Sequence, residues 1–273
     1  MKKKERLDKL LVEKKLVDSR EKAKRFIMAN QVIVDGKKVN KAGTECDMTS
    51  DIIIEQSENQ YVSRGGIKLE KALNEFNITG KIRDAIAVDI GASTGGFTDC
   101  LLKHGVKNIY CIDVGYGQLD WKLRNDERIV NMEKINIRYL DEKQFGFKFD
   151  LATIDVSFIS LEKVFPVVKE ILKENGLVIA LIKPQFEAGR EHVKKGGIVS
   201  DPIVHQETII RLVNNIKNDF KFVNITFSPI KNTPGNIEYL IYMIKDKAGN
   251  DFINIDLIKD KVAEAHKFFK IKL

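Results

Sequence analysis

Between residues 80 and 245 short apolar runs alternate with helical patterns, and this alternation restricts the fold more than any other feature of the chain. Residues 86–90, 109–114, 129–132, 151–156 and 177–182 are rich in β-branched side chains. Most of these runs are nearly continuous in hydrophobicity, as strands covered on both faces must be. Helical spacing fills several of the gaps, at 95–104, 161–173 and 203–218. Asp201-Pro202 opens the last of these with an N-cap and a proline at the first helical position. Two more strands are expected at 223–227 and 239–244. A terminal helix is expected at 257–269, with Ile258, Val262, Ala265 and Phe269 on its apolar face. The pattern predicts an α/β fold: a Rossmann-like, doubly wound sheet, mostly parallel, with the last strand antiparallel.

Residues 1–55 follow a different rule and read as a small α+β unit. Leu7, Leu10, Leu11 and Val12 form a short amphipathic helix, and Ser19 caps a second one. In that second helix Ala23, Phe26 and Ile27 face inward. Residues 31–35 alternate as a strand, Asp35-Gly36 turns the chain, and residues 52–55 add another strand. The polar stretch 56–60 is the expected linker to a domain spanning 61–273. Charge follows the same division. Residues 1–41 hold fourteen Lys/Arg against six Asp/Glu, a net +8, whereas the whole chain carries +7. The cationic surplus therefore sits on the small unit. A rigid helix pair with such a face grips a phosphate backbone without reading sequence.

Several classes are excluded. The longest apolar run, Gly176 through Ile182, is far short of the roughly twenty residues of a membrane span. The first residues, Met-Lys-Lys-Lys-Glu-Arg, lack a signal-peptide apolar stretch. Cys46, Cys100 and Cys111 have no CxxC pairing or zinc spacing and are expected as reduced structural thiols. No metal is expected.

Residues 87–98 read as a strand, a glycine-rich turn and a helix. Ligands of open α/β sheets bind at such carboxyl ends of strands. The glycines run G-x-x-x-G-G, which does not specify a dinucleotide pyrophosphate, and no Walker lysine follows. Asp113 closes the next strand, where an acid can bond both hydroxyls of a ribose. Asp155 and Lys183 close the fourth and fifth strands, and Pro184 keeps Lys183 extended. Glu238 opens the last strand; if antiparallel, that strand starts at the same sheet edge. Lys68 lies on a helix beginning near Ser63, beside Arg64 and Lys71.

These residues carry resemblances. Arg6-Leu7-Asp8-Lys9-Leu10-Leu11, Ser19-Arg20, Ala23 and Val32-Ile33-Val34-Asp35-Gly36 resemble an S4 RNA-binding domain. The acid Asp89 before its glycine turn is similar to the first motif of S-adenosylmethionine enzymes. The set Lys68, Asp155, Lys183 and Glu238 resembles the Lys-Asp-Lys-Glu tetrad of FtsJ-like RNA 2′-O-methyltransferases. Tyr61-Val62-Ser63-Arg64-Gly65-Gly66-Ile67-Lys68-Leu69, Asp155-Val156-Ser157-Phe158-Ile159-Ser160 and Lys183-Pro184-Gln185-Phe186-Glu187 resemble the TlyA (hemolysin A) family, which joins the two modules.

The resemblance implies an enzyme that methylates a cytidine 2′-hydroxyl in ribosomal RNA, 16S or 23S or both, with S-adenosylmethionine as cofactor. It implies Lys68, Asp155, Lys183 and Glu238 as catalytic residues. Asp89, Gly91, Ser93, Gly95, Gly96, Phe97, Asp113 and Asn136 are the expected cofactor residues. Arg6, Lys9, Arg20, Lys22, Lys24, Arg25 and Arg64 are the expected RNA-binding residues. A ribose hydroxyl is a poor nucleophile, so a site that aligns it and removes its proton is what the reaction requires. Asp155 and Glu238 favour a charged Lys183, whereas desolvation, Lys68 and a cationic cofactor favour a neutral one, so the proton acceptor stays open at this stage. The basic, glycine-rich stretch 189–197 could close over RNA. A cytoplasmic monomer acting on ribosomal subunits, with no membrane partner, is expected. The rivals are a non-catalytic RNA-binding or ribosome-assembly protein, a membrane-lytic hemolysin, and a nicotinamide enzyme, the last disfavoured by the glycine spacing.

Overall fold

A computed structural model describes residues 4–17, 19–28, 31–54, 61–232, 235–246 and 253–271. They fall into two compact units, 1–60 and 61–273. The expected linker 56–60 lies outside the described residues.

In the first unit β1 (Lys4–Arg6) runs into α1 (Leu7–Glu13), followed by α2 (Arg20–Met28), β2 (Val32–Val34), β3 (Lys37–Val39), β4 (Glu45–Asp47) and β5 (Ile52–Ile54). β1 pairs with β4, and β2 pairs with both β3 and β5, all antiparallel. Leu7, Leu10, Leu11, Ala23, Ile27 and Val32 are sealed in its core. Ser19 Oγ accepts the Lys22 N–H at 3.2 Å, the expected cap. Asp35 and Gly36 make the expected turn, both at positive φ (49° and 79°), and close β2 onto β3. Strands β1, β3 and β4 escape the sequence pattern because each is three residues long and mostly polar; Lys37-Lys38-Val39 offers one apolar side chain.

One carboxylate is buried in this unit. Asp8 is fully enclosed. Its Oδ1 accepts from Arg6 Nε at 3.0 Å, and its Oδ2 accepts from Arg6 Nη2 at 3.2 Å and Arg20 Nη2 at 2.7 Å. The Arg6 hydrogen bonds, joined by those of Arg20, outweigh desolvation and hold Asp8 well below the usual carboxylate range.

The second unit contains α3 (Arg64–Glu75), β6 (Ile86–Ile90), α4 (Gly96–Lys103), β7 (Asn108–Asp113), a short α5 (Trp121–Arg124), β8 (Ile129–Glu133) and β9 (Phe149–Ile154). It continues through α6 (Phe165–Ile171), β10 (Leu172–Ile182), a short α7 (Pro184–Glu187), α8 (Pro202–Ile216), β11 (Phe220–Phe227), β12 (Tyr239–Lys245) and α9 (Ile255–Ile271). Its seven strands lie in the order β11-β12-β10-β9-β6-β7-β8. β12 runs antiparallel to both neighbours, and β6 to β10 are mutually parallel. Successive residues of each central strand feed opposite cores. Val88, Ile90, Ala180 and Ile182 pack with α6, α8 and α9 on one face. Ala87, Ile179 and Leu181 pack with α3 and α4 on the other. Both faces are covered, which is why the strand signal is continuous rather than alternating.

The helix expected at 161–173 is shorter. A 3₁₀ turn over Leu161–Lys163 precedes α6, and the chain passes straight from Ile171 into β10. The buried Lys245 Nζ donates to the carbonyls of Lys169 (2.6 Å) and Leu172 (2.9 Å), ending the helix where pattern alone does not. Asp201 caps α8 by accepting the Ile203 N–H at 2.8 Å. Among the described residues no helix is long and apolar enough to cross a membrane.

Asp8 ionises more readily in the folded chain than in the unfolded one. It therefore contributes stability above its unfolded pKa, near 4, that is lost as pH falls below that value. Amide protection over residues 7–28, measured in the full chain by hydrogen exchange, should fall between about pH 4 and pH 2. Asp8→Asn should start less protected and lack this acid-dependent step. An identical step in both proteins would show that Asp8 is not its source.

Candidate active site

Loops leaving the carboxyl ends of β6 to β10 enclose two cavities. The larger, about 940 Å³, is lined by Gly91, Ser93, Asp113, Asn136, Phe158 and Phe186 among others. The smaller, about 290 Å³, is lined by Ser63, Arg64, Lys68, Gly96, Phe97 and Lys183 among others. Both are lined by Gly91, Ser93, Asp155 and Ser157, so the two spaces meet there.

The close meeting depends on Gly91. It follows β6 at φ +82°, and a Cβ on it would stand 2.5 Å from the Asp155 carbonyl oxygen. The Asp155 N–H donates to Ile90 O at 2.9 Å. The chain leaving β6 therefore approaches the end of β9 at a distance only glycine permits, and Asp155 emerges beside the turn.

The four charged residues expected to converge do so as two ion pairs. Lys183 Nζ lies 2.7 Å from Asp155 Oδ1 and donates to Ser157 Oγ at 2.8 Å. Lys68 Nζ donates to Glu238 Oε2 at 2.6 Å. Glu238 is 1% exposed, and the Lys68, Lys183 and Asp155 side chains are 12%, 11% and 22% exposed. Lys68, Asp155 and Lys183 line the smaller cavity. Each is placed by its element. Lys183 is extended ahead of Pro184, as expected. Glu238 immediately precedes the antiparallel β12, so it lies at the sheet edge where β10 ends: Tyr239 pairs with Ile182. On the same face of α3, Lys71 donates to Phe227 O at 2.8 Å and sits 3.4 Å over the Phe227 ring.

The expected cofactor residues divide. Gly91, Ser93, Asp113 and Asn136 line the larger cavity. Asp113 accepts the N–H groups of Ser93 (2.8 Å) and Gly115 (2.7 Å), which fixes its carboxylate at the rim. Gly96 and Phe97 line the smaller cavity. Two of the expected residues lie away from both cavities. Asp89 lines neither cavity. It lies one residue inside β6, fully buried, and accepts hydrogen bonds from Thr98 Oγ1 (2.6 Å) and Thr153 Oγ1 (2.9 Å). Burial, opposed by the Thr98 and Thr153 hydroxyls, pushes it up to about 6. Asp89 thus pins α4 and β9 to β6 from beneath the turn. Gly95 also lines neither cavity: it caps α4 at φ +90° and faces Leu119 and Leu123.

Of the cationic residues, Arg6 and Arg20 hold Asp8 and remain 47% and 48% exposed. Lys9 lies 3.7 Å from Glu5. Lys22 is partly exposed and Lys24 exposed on α2, whereas the Arg25 side chain lies outside the described residues. Arg64 is exposed at the start of α3. In the stretch 189–197, Arg190 and Val193 line the larger cavity. All three cysteines are buried and free.

Sequence reasoning missed Ser157 and Phe158, which line the larger cavity, and the buried Glu187 behind it. Ser157 and Phe158 were legible as neighbours of Asp155 past the strand end. Phe158 is 91% exposed at φ 63°, with its ring 5.0 Å from that of Phe186. No local signal marks Glu187, which is buried by long-range packing.

Residues 61–245 match the family described as FtsJ-like methyltransferase, and residues 5–53 match the S4 domain. YqxC of Bacillus subtilis, provisionally named as an rRNA methyltransferase, is 46% identical over 274 residues, covering 99% of this chain and 97% of its own. The 16S/23S rRNA (cytidine-2′-O)-methyltransferase TlyA of Mycobacterium tuberculosis is 38% identical, covering 87% of this chain and 89% of its own. A solved structure from Streptococcus thermophilus, provisionally titled a hemolysin, superposes with a TM-score of 0.78 at 42% identity, over 100% of this chain and 99% of that one.

The start of α3 is seated directly on the start of α4. A Cβ on Gly96 would stand 2.2 Å from Ser63 Oγ, 2.9 Å from Gly66 N and 3.0 Å from Gly65 Cα. Gly96→Ala should therefore displace α3 and lower stability by about 1–3 kcal/mol, the usual cost of overpacking. Gly80→Ala, with nothing within 4 Å of its Cβ, is the control. Equal calorimetric melting temperatures for the two variants would refute this packing.

Proposed function

The chain belongs to the FtsJ-like methyltransferase family, and from that premise we propose that it transfers a methyl group from S-adenosylmethionine to the ribose 2′-hydroxyl of a cytidine in ribosomal RNA. The observation that carries the reading is the pair of ion pairs: Asp155–Lys183, whose carboxylate lines both cavities, and Lys68–Glu238, whose lysine lines the smaller one. The TlyA relative's name supplies the cytidine and the 16S/23S substrates.

The larger cavity suits the cofactor by its chemistry. Asp113 offers a fixed carboxylate for a ribose diol. Ile112, Ile135 and Ile137 offer apolar surface to a purine, with Asn136 beside them as a polar partner. Gly91, without a side chain, lets Asp155 approach the turn at the junction with the smaller cavity. The bound cofactor supplies a sulfonium methyl, an electrophile that needs alignment more than activation.

The chain's own residues do the rest. Lys183, held between Asp155 and Ser157, meets the acceptor hydroxyl. Having first released its ammonium proton to solvent, the neutral amine aligns the oxygen and takes the proton that leaves as the O–C bond forms and the S–C bond breaks. Asp155 fixes the Lys183 amine and faces both cavities. Lys68, neutralised by Glu238, completes the wall against which the ribose rests. Asp89 shapes the turn without touching a ligand. Residues 1–55 grip RNA through Arg6, Lys9, Arg20, Lys22, Lys24 and Arg25, and Arg64 adds a cation at the mouth of the smaller cavity. On this reading the protein works on ribosomal subunits in the cytoplasm, as a monomer.

Radiolabelled methyl transfer to ribosomal subunits tests the reading. Lys183→Ala should lose at least about a hundredfold in rate, the low end for a group that moves a proton. A normal rate in that variant would overturn its assignment. Arg6→Ala and Arg20→Ala should each weaken RNA binding and reduce the slope of log affinity against log salt by about one. Unchanged slopes would remove these arginines from the RNA interface.

A further inference from the structure

We propose that Glu187 is a positioning residue: its buried carboxylate clamps the loop that carries Asp155 to the loop that carries Lys183, and so sets the geometry at which the two meet. The inference rests on the methyltransferase reading for its kinetic consequence but not for its structural one.

The need for a clamp follows from where the sheet stops. β9 and β10 are parallel neighbours, and their last paired residues are Ile154 and Ala180. Asp155 and Lys183 lie past that ladder, so no strand hydrogen bond holds one loop against the other. The Asp155–Lys183 ion pair cannot hold them alone, because a working Lys183 must be free to engage a substrate.

Glu187 bridges this gap. It is 7% exposed. Its Oε1 accepts the Leu161 N–H at 2.8 Å, and its Oε2 accepts the Ser160 hydroxyl at 2.7 Å. Both donors stand at the far end of the loop that begins with Asp155. On its own side, Glu187 ends the tight turn of α7: Phe186 N–H donates to Lys183 O at 2.9 Å and Ala188 N–H to Pro184 O at 2.8 Å. The turn makes Lys183 and Glu187 one stiff piece. From behind, Arg211 of α8 donates to the Glu187 carbonyl and lies 3.7 Å from Glu162 Oε1. Ser160 Oγ also accepts the Glu162 N–H at 3.2 Å, closing the turn that receives the clamp.

Glu187 itself lines neither cavity, whereas Ser157, Phe158, Ile159 and Ser160 before the clamp, and Gln185 and Phe186 within it, line the larger one. Its effect must therefore pass through the residues it holds. A misplacement of about 1 Å at a reacting centre can cost about a hundredfold in rate.

The test uses the full chain with Glu187→Ala, Glu187→Gln and, as a control that leaves the clamp intact, Glu170→Ala, exposed on α6. Glu187→Ala should lower kcat for methyl transfer to ribosomal RNA about a hundredfold with KM for RNA unchanged. Glu187→Gln should stay within about threefold of wild type, because an amide still accepts from Leu161 N–H and can donate to Ser160 Oγ. Glu170→Ala should leave kcat unchanged. Amide exchange at residues 157–161 and 185–188 reads the clamp without turnover and should accelerate in Glu187→Ala only. Should Glu187→Ala fail to fold, Ser160→Ala removes one of the two bonds and must show a smaller loss in the same direction. A lower melting temperature with unchanged kcat per folded molecule, or Glu187→Gln as slow as Glu187→Ala, overturns the proposal. A wild type that transfers no methyl, with exchange responding as expected, overturns the activity reading instead.

Discussion

The ion pair between Lys68 and Glu238 joins residues 170 positions apart, in a setting where only 1% of Glu238 is exposed. At an effective dielectric near 20, charges this close attract by roughly 6 kcal/mol, and taking two ions out of water costs several kcal/mol each. The two terms nearly cancel, so the pair is a poor source of stability. Its consequence is geometric. It docks α3 against the start of β12, and Lys71, one turn further along α3, repeats the contact at Phe227. The edge of the sheet where β10 ends and β12 begins is thereby closed on one side.

Stability comes from elsewhere. The central strands bury alternate residues in two separate apolar layers, with Ile179 and Leu181 on one face and Ala180 and Ile182 on the other. A side chain such as Leu contributes about 1.5–3 kcal/mol when fully buried. A layered core of this kind can carry several polar sites that contribute little. Asp89 is one: buried, satisfied by Thr98 and Thr153, and pushed up to about 6 by its burial. Its two hydroxyl donors connect α4, β6 and β9 under the glycine turn. The turn above them places Gly91 and Ser93 where the two cavities meet.

The functional geometry is assembled at the ends of strands, where the sheet's own hydrogen bonds run out. Gly91 permits the end of β6 to approach Asp155 closely, Pro184 holds Lys183 extended, and Glu187 spans from α7 to the turn at Ser160. In the smaller unit Asp8 plays a comparable part, enclosing one carboxylate so that two arginines share a fixed position at the surface. In each case a buried or constrained group fixes the position of its neighbours.

Much of this was legible in the sequence. The alternation of strand and helix, the order of the elements, the caps at Ser19 and Asp201 and the four charged residues at strand and helix positions all rest on local pattern, which a linear chain displays directly. Three polar strands of the small unit were not legible, because three residues with one apolar side chain carry no period. The burial of Asp89 and Asp8, the choice of Glu238 as partner for Lys68 and of Asp155 for Lys183, and the reach of Glu187 to Ser160 and Leu161 were decided only by tertiary structure. Burial and pairing depend on which distant segments the sheet register brings together, and two acids of the same type receive opposite fates from neighbours far away in the chain. The sequence determined which groups are present and on which elements; the packing of those elements determined which of them meet the cleft and which support it from below.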